Sequence, residues 1–215
     1  MNSEKYTHKI LVAHRHVVDF SRFKVTKKVD VRLNLVGYVG RLSEEKGVLH
    51  LIEAIPIVLK HRKDTHFMLC GRGALSDCIE NAIKCESLQS NVKLMGWVNH
   101  EGVSKYLNEI KLLVLPSSTE GLPNILLEAM ACGTPILSTS VGAVPDIIKD
   151  CETGFLLESN NPTHIADKII ALLNNPELLS KVSVNAYRWV RNNFSKEKTV
   201  EVWREALCGL KACDE

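Results

Sequence analysis

The chain has 215 residues, of which 45% are hydrophobic and 24% charged, which is enough apolar content for one domain with an appended helix. Its 27 Lys and Arg residues are balanced by 25 Asp and Glu residues and form no basic run, so the net charge of +2 gives no reason to expect nucleic acid binding. No apolar stretch approaches the roughly 20 residues of a membrane span, and the N-terminus lacks a signal-peptide core, so we expect a soluble, cytoplasmic chain that contacts membranes only peripherally, if at all.

The seven cysteines are spaced irregularly along the chain. An odd count without a C-x-x-C pair fits neither the disulfide framework of a small secreted domain nor the paired spacing of metal ligands. Free thiols in a reducing compartment are therefore expected. Cys70 and Cys132 lie in apolar surroundings and are predicted to be small core residues.

Short apolar runs alternate with amphipathic stretches along the chain. The runs predict strands over 10–13, 34–39, 65–70, 91–95, 110–115, 134–139 and 154–157. The stretches predict helices over 48–61, 76–86, 100–108, 162–173, 176–190 and 196–210, with two more beginning near 123 and 142. Pro56 should bend or break the first helix, residues 17–23 should form a turn, and residues 24–32 a solvated connection. The alternation predicts an α/β fold with a doubly wound parallel sheet, which binds ligands outside the carboxyl ends of its strands.

The stretch from Pro116 to Pro135 is the most informative part of the sequence. It follows the apolar run 110–115, and a helix is predicted to begin near Pro123, since proline is favoured at the first helical position. The free backbone N–H groups over 121–124 and the positive end of the helix dipole would then point at one spot, which suits an anion such as a diphosphate. Gly121 would let a ligand approach the backbone closely.

Two carboxylates bracket this turn. Glu120 lies in the loop, and Glu128 lies inside the predicted helix, one turn after Asn124. A carboxylate beside a phosphate site is better suited to accept hydrogen bonds from sugar or ribose hydroxyls than to contact the phosphate. The alternative is that both are solvated surface acids, which is the default for charged side chains.

The stretch from Val36 to Gly47 repeats this arrangement. The chain leaves an apolar segment through Gly40 and enters a loop that carries Arg41 and Lys46, with Ser43 in position to cap the next helix. Arg offers phosphate oxygens a planar fork and Lys a point charge, so the two can neutralise a diphosphate from two directions. The alternative is a pair of solvated cations on a turn.

These stretches belong to a longer series of motifs. The chain contains, in this order, R-L-S-E-E-K-G, C-G-R-G, P-S-S-T-E-G-L-P-N-I-L-L-E-A-M-A-C-G-T-P-I-L-S-T and V-G-A-V-P-D-I-I. The series closely resembles the C-terminal domain of family 4 glycosyltransferases, which are retaining enzymes of the GT-B fold that use nucleotide sugars. The resemblance runs from about Ile10 to the C-terminal helix and implies a Rossmann-like domain, the C-terminal half of a GT-B fold.

The resemblance implies a role for each motif. Arg41 and Lys46 would stabilise negative charge on the diphosphate leaving group and Glu120 would hold hydroxyls of the donor sugar, so these three are the predicted catalytic residues. Glu128 would hold the ribose hydroxyls. No cofactor is expected, and no metal at the diphosphate, since positive groups take its place and the sequence has no clustered aspartates for it. The predicted donor-binding residues are Gly40, Gly71, Arg72, Trp97, Val98, Gly121, Leu122, Pro123, Asn124 and Glu128.

Some of these assignments have simpler alternatives. The motif Gly71-Arg72-Gly73 equally fits a tight turn, and Trp97 fits a core or rim position. By resemblance, the glycine motif lies near the donor nucleotide, while Trp97 and Val98 contact its base, mostly through the backbone. The chain departs from the family near Arg15-His16, where the family has Asn-Gly, and no histidine is assigned to catalysis.

The resemblance also predicts the organisation of the chain. Residues 1–33 would be an N-terminal strand and connection, 34–193 the nucleotide-sugar-binding domain, and 194–215 a helix that crosses to a missing N-terminal domain, which binds the acceptor in the family. The expected function is retaining hexosyl transfer from a UDP-, GDP- or ADP-linked sugar to an unknown acceptor, in polysaccharide or glycolipid synthesis, with the isolated domain inactive or weakly active. The alternatives are a donor subunit that needs a partner chain, a non-catalytic nucleotide-sugar binding module, and an epimerase on the same fold, which the motifs fit less well.

Overall fold

The apolar runs of the sequence form one six-stranded sheet. The computed structural model of the protein describes residues 16–211, so the strand predicted over 10–13 lies outside the described residues. The strands are β1 (Leu35–Val39), β2 (His66–Cys70), β3 (Val92–Gly96), β4 (Leu112–Leu115), β5 (Ile136–Thr139) and β6 (Phe155–Leu157). They lie in the order β3-β2-β1-β4-β5-β6, and every neighbouring pair is parallel.

Helices cover both faces of this sheet. They are α1 (Val48–His61), α2 (Ser76–Cys85), α3 (His100–Glu109), α4 (Asn124–Ala131), α5 (Val144–Ile147), α6 (Pro162–Leu173), α7 (Pro176–Phe194) and α8 (Lys196–Lys211). Successive side chains of β4 point to opposite faces, as strand geometry requires. Leu112 and Val114 pack into one apolar cluster with α1 and α6, whereas Leu113 and Leu115 pack into another with α4 and α7. This arrangement confirms the predicted doubly wound parallel sheet.

The predicted ranges agree with the described elements to within two residues, except that α7 continues four residues beyond 190. Of the predicted bend or break at Pro56, the break does not occur, because α1 is one helix with Pro56 in its interior. Proline removes one helical hydrogen bond and crowds the preceding turn. Four buried neighbours on the helix offset this cost by packing against the sheet: Ile52, Ala54, Ile55 and Val58.

The start of α1 also differs from the prediction. Ser43 does not cap it, because a 3-10 turn over Glu44–Lys46 comes first and Gly47 precedes the helix with φ of +63°. The Ser43 hydroxyl instead donates a hydrogen bond to Glu45 Oε1 at 2.7 Å. A Cβ at Gly47 would lie 2.0 Å from the carbonyl oxygen of Pro116, so glycine is required where these two loops meet.

Residues 24–32 form a largely exposed connection, as the sequence predicts, but two of them are buried. Val29 is buried, and Arg32 is only 3% exposed. Burial lowers the pKa of Arg32 to about 10. Its guanidinium donates to a carbonyl of the same segment and to groups just before β4 and β5: the carbonyl oxygens of Lys27, Leu107, Ile110 and Cys132 and the hydroxyl of Thr134. The segment is therefore tied to the amino edge of the sheet.

The thiols behave as predicted. The cysteines of the described residues are all free, and Cys70 and Cys132 are buried. Burial raises the pKa of both thiols to about 11. Within residues 16–211, no helix combines the length and apolarity that crossing a membrane requires.

Candidate functional site

The predicted site residues meet at one edge of the sheet. Because the strands are parallel, their carboxyl ends share an edge, and the loops that follow them lie side by side. The predicted residues occupy the loops after β1, β2, β3 and β4 and the first turns of α4.

A cavity of about 330 Å³ lies between the loops that follow β1, β2 and β3. Gly71, with φ of +147°, brings two of these loops together, since a Cβ there would lie 1.8 Å from the carbonyl oxygen of Gly40. Trp97 is 70% exposed, so it is not a core residue. Six of the predicted residues line the cavity: Gly40, Arg41, Gly71, Arg72, Trp97 and Val98.

Two predicted catalytic residues form an ion pair. Lys46 Nζ lies 2.8 Å from both carboxylate oxygens of Glu120, and the hydroxyl of Ser117 donates to Glu120 Oε1 at 2.7 Å. The Glu120 side chain is only 8% exposed and that of Lys46 26%. A charge this buried is stabilised by its paired cation and its hydrogen bond donor. The pairing holds both side chains in fixed orientations beside α4.

Arg41 is held differently from Lys46. Its side chain is 72% exposed and lies 3.8 Å from Glu45. Its backbone carbonyl accepts a 2.6 Å hydrogen bond from the hydroxyl of Tyr38. Burial, followed by the charges of Glu120 and Glu45, raises the pKa of Tyr38, so this phenol stays a neutral donor. The backbone at Arg41 is thus fixed, while its guanidinium remains accessible.

The turn before α4 is supported from one side and open on the other. Pro123 is the residue before the helix, which begins at Asn124, one position later than a proline at the first helical position would place it. Gly142, with φ of +56°, lies beneath the turn, where a Cβ would come within 1.9 Å of the carbonyl oxygen of Glu120. A Cβ at Gly121 would meet no described atom within 4 Å. Leu122 packs against the core rather than into the opening.

Glu128 lies in a second cavity, of about 390 Å³, which is also lined by residues with no role predicted from the sequence. Glu128 Oε1 is 2.8 Å from His100 Nε2, and His100 Nδ1 is 2.9 Å from Arg22 Nη1. His16 Nδ1 is 2.9 Å from Asn124 Oδ1. Contacts between segments so far apart in the chain leave no periodic pattern in a sequence. The cavity is lined by His16, Val17, Val18, His100, Asn124, Leu127 and Glu128.

The arrangement combines groups of opposite chemistry. Cations such as Arg41 and Lys46 and the N–H groups at a helix start can bind an anion, whereas carboxylates such as Glu120 and Glu128 can accept hydrogen bonds from hydroxyls. Among residues 16–211, no group of three His, Cys, Asp or Glu side chains lies close enough together to hold a metal ion. The edge therefore suits a ligand that carries both a diphosphate and sugar hydroxyls.

Comparison with known proteins identifies glycosyltransferases as relatives of this chain. The family model described as glycosyl transferases group 1 matches residues 19–189. An uncharacterized glycosyltransferase of Methanocaldococcus jannaschii is 36% identical over 163 residues, which is 76% of this chain and 44% of that protein. The chain spans less than half the length of the first curated relatives it matches.

Two solved structures are similar over most of the chain. The C-terminal domain of LpcC, a glycosyl transferase group 1 family protein of Francisella tularensis, has a TM-score of 0.75 at 26% identity, covering 83% of this chain and 99% of that one. A point mutant of TarM from S. aureus, solved with UDP, alpha-GlcNAc-glycerol and Fondaparinux, has a TM-score of 0.77 at 28% identity, covering 88% of this chain and 38% of that one.

Proposed function

The chain belongs to the glycosyl transferases group 1 family, and we propose that it is the donor-binding domain of a retaining glycosyltransferase that uses a UDP-sugar. Its fold matches the C-terminal domain of a GT-B protein. The ion pair between Lys46 and Glu120, beside the open turn before α4, carries the proposal. A cation that can bind a phosphate and a carboxylate that can bind a hydroxyl lie within one hydrogen bond of each other there, which supports a site for the junction between a diphosphate and its sugar.

The diphosphate binds between two cations and a helix terminus. Lys46 shares its three donors between Glu120 and a phosphate oxygen, and Arg41 approaches from the loop after β1. The N–H groups before and within the first turn of α4 donate to the same anion, and the open side of Gly121 admits it. These donors stabilise the charge that grows on the leaving group as the sugar bond breaks.

The rest of the donor extends in two directions from the diphosphate. Glu120 accepts hydrogen bonds from hydroxyls of the sugar, and Glu128 accepts them from the ribose. The base lies beside Trp97 and Val98, on the cavity that Arg72 also lines. UDP is the nucleotide we favour, because the TarM structure that matches this chain at 28% identity contains it.

Transfer needs a second domain. The bond between the anomeric carbon and the diphosphate breaks as the acceptor attacks from the same face, which preserves the anomeric configuration. Residues 34–193 supply the predicted donor-binding residues, residues 16–22 contribute to the surroundings of Glu128, and the helix within 194–215 extends to a domain that binds the acceptor. Since this chain spans less than half of its curated relatives, the acceptor site belongs to that other part of the protein or to a partner chain.

Calorimetric titration with UDP, GDP and ADP, each with and without Mg²⁺, tests the donor site directly. We expect UDP to bind best and its affinity to be independent of Mg²⁺. Binding of GDP or ADP in its place would change the base assignment only. Absence of binding by all three would overturn the donor-site assignment.

Removing either cation should weaken this binding. We expect Arg41→Ala and Lys46→Ala each to lower UDP affinity by about 1.5–3 kcal/mol, the range of charge-assisted hydrogen bonds. Lys63→Ala is the matched control, because Lys63 is exposed before β2, at the opposite edge of the sheet. Unchanged affinity in both cleft variants would remove the diphosphate assignment, even if UDP binds the unmodified chain.

A further inference from the structure

Three side chains from distant parts of the sequence form a continuous chain of hydrogen bonds that ends at Glu128. Arg22, from the segment before β1, lies 2.9 Å from His100 Nδ1, and His100 Nε2 lies 2.8 Å from Glu128 Oε1. The exposed fractions differ along this chain, with the His100 side chain 59% exposed and the Glu128 side chain 13% exposed. The carboxylate is therefore covered by the histidine on one side.

The chemistry of arginine fixes the tautomer of this histidine. A guanidinium has only N–H donors and stays charged, so His100 Nδ1 must accept the hydrogen bond from Arg22. The ring proton then resides on Nε2, which donates to the Glu128 carboxylate. His100 thus bridges the Arg22 cation and the Glu128 anion through its two ring nitrogens.

The fold holds both His100 and the backbone of Arg22 in place. Asn99 caps α3 by accepting a hydrogen bond from Gly102, which places His100 at the first helical position. The His100 ring centroid lies 5.3 Å from that of buried Phe23. The carbonyl oxygen of Arg22 accepts a 2.8 Å hydrogen bond from Ser104, one turn further along α3. The histidine ring and the backbone of Arg22 are thus both held against neighbouring groups of the fold.

We propose that His100 is a positioning residue that fixes the Glu128 carboxylate for bidentate recognition of the donor ribose. The inference rests on the proposed function, because Glu128 meets a ribose only if the chain binds a nucleotide. Without His100, the carboxylate has other rotamers available, and a hydroxyl pair must select one of them. The ribose contribution to affinity falls, whereas contacts with the diphosphate do not.

Titration with two ligands separates this role from a merely structural one. We expect His100→Asn to lower UDP affinity about tenfold, the scale of one charge-assisted hydrogen bond, and to leave the affinity for 2′,3′-dideoxy-UDP unchanged within about twofold. His100→Gln should retain UDP affinity, because a glutamine amide reaches the position of Nε2 and an asparagine amide only that of Nδ1. His66→Asn, at an exposed histidine of β2, is the matched control. If GDP or ADP binds best, its dideoxy form replaces dideoxy-UDP.

Imidazole ¹⁵N chemical shifts give an independent readout. They should show the Nε2–H tautomer for His100 in the unmodified chain, and a mixture of tautomers in Arg22→Met, where the fixed donor is absent. Equal losses for UDP and its dideoxy analogue in His100→Asn, no loss for either, or an Nδ1–H tautomer in the unmodified chain would each overturn the inference. These outcomes differ from failure of the proposed function, in which the unmodified chain binds no nucleotide.

Discussion

The two edges of the sheet carry polar clusters of opposite kinds. At the amino edge, the guanidinium of Arg32 donates to carbonyl and hydroxyl oxygens around it and is only 3% exposed. At the carboxyl edge, Lys46 and Glu120 neutralise each other, while the Arg41 side chain remains 72% exposed. The Arg32 guanidinium forms its hydrogen bonds within the protein, whereas the Arg41 guanidinium has donors exposed to a ligand.

This difference indicates how each cluster contributes. A buried polar network whose members are all satisfied stabilises one packing of the chain, because any alternative leaves a buried group without a partner. A network with spare donors, held in position by glycines and short hydrogen bonds, is preorganised for a ligand. Changes at the amino edge should therefore alter stability, and changes at the carboxyl edge should alter binding.

The largest expected effect is at Arg32. Arg32→Met keeps much of the side-chain volume but leaves several buried carbonyl oxygens without a donor, so we expect a loss of about 4 kcal/mol in the free energy of unfolding. Urea denaturation followed by circular dichroism measures this loss. UDP affinity of the folded variant should remain within about twofold of the original.

Arg41→Ala is the matched variant at the other edge. Its exposed guanidinium makes one long ion pair with Glu45, so its unfolding free energy should change by less than about 0.5 kcal/mol while its UDP affinity falls. The contrast between the edges is refuted if Arg32→Met unfolds at the original urea concentration or if Arg41→Ala is the less stable of the two.

The next effect concerns two glycines on opposite sides of the same turn. Gly142→Ala places a Cβ 1.9 Å from the carbonyl oxygen of Glu120, at a φ of +56°, so we expect a loss of about 3 kcal/mol in unfolding free energy together with weaker UDP binding. Thermal denaturation and calorimetric titration measure the two quantities. The turn cannot move away easily, because Ala143 also donates a hydrogen bond to the carbonyl of Gly121.

Gly121→Ala is the control that separates support from ligand contact. Its Cβ would point into open space, so stability should stay within about 0.5 kcal/mol of the original. UDP affinity should nevertheless fall about tenfold, because the added methyl occupies the approach of the diphosphate. Full UDP affinity in a stable Gly121→Ala chain would mean that the anion does not use this side of the turn.

The sheet and its helices could be predicted because their patterns are local. Apolar runs, proline at helix starts and the 3.6-residue periodicity all act within about ten residues of one another. The helix does not break at Pro56 because packing outweighs the local rule, with buried neighbours such as Ile55 and Val58 on both sides. The burial of Arg32 was not predicted for a related reason, since alternating basic and aliphatic residues do not show that one arginine turns inward.

Part of the candidate site could also be predicted from the sequence. Glycine at the ends of strands and charges beside a helix start indicate an anion site, and the structure brings Lys46 and Glu120 within 2.8 Å. The ligand roles of these residues remain predictions. His100 and Arg22 were missed because they are 78 residues apart, and a contact over that distance has no counterpart in spacing or composition. Only the folded chain shows that the histidine covers Glu128.

The smallest effect that we predict distinguishes two neighbouring serines at the carboxyl edge. Ser117→Ala removes the 2.7 Å hydrogen bond to Glu120, and we expect the affinity for a UDP-sugar to fall by about 1 kcal/mol while UDP affinity stays within about twofold. The reason is that Glu120 contacts the sugar, whereas Lys46 can still bind the diphosphate. Calorimetric titration measures both affinities, with UDP as one ligand and, as the other, whichever of UDP-glucose, UDP-galactose and UDP-N-acetylglucosamine binds most tightly.

Ser118→Ala provides the comparison, because the Ser118 hydroxyl is exposed and donates only to the carbonyl of Glu45 at 3.1 Å. It should leave both affinities unchanged. The Ser117 backbone is also held from β5, because Thr139 donates a hydrogen bond to its carbonyl oxygen at 2.5 Å. Equal effects of Ser117→Ala on UDP and on the UDP-sugar would mean that Glu120 acts on the diphosphate through Lys46 rather than on the sugar.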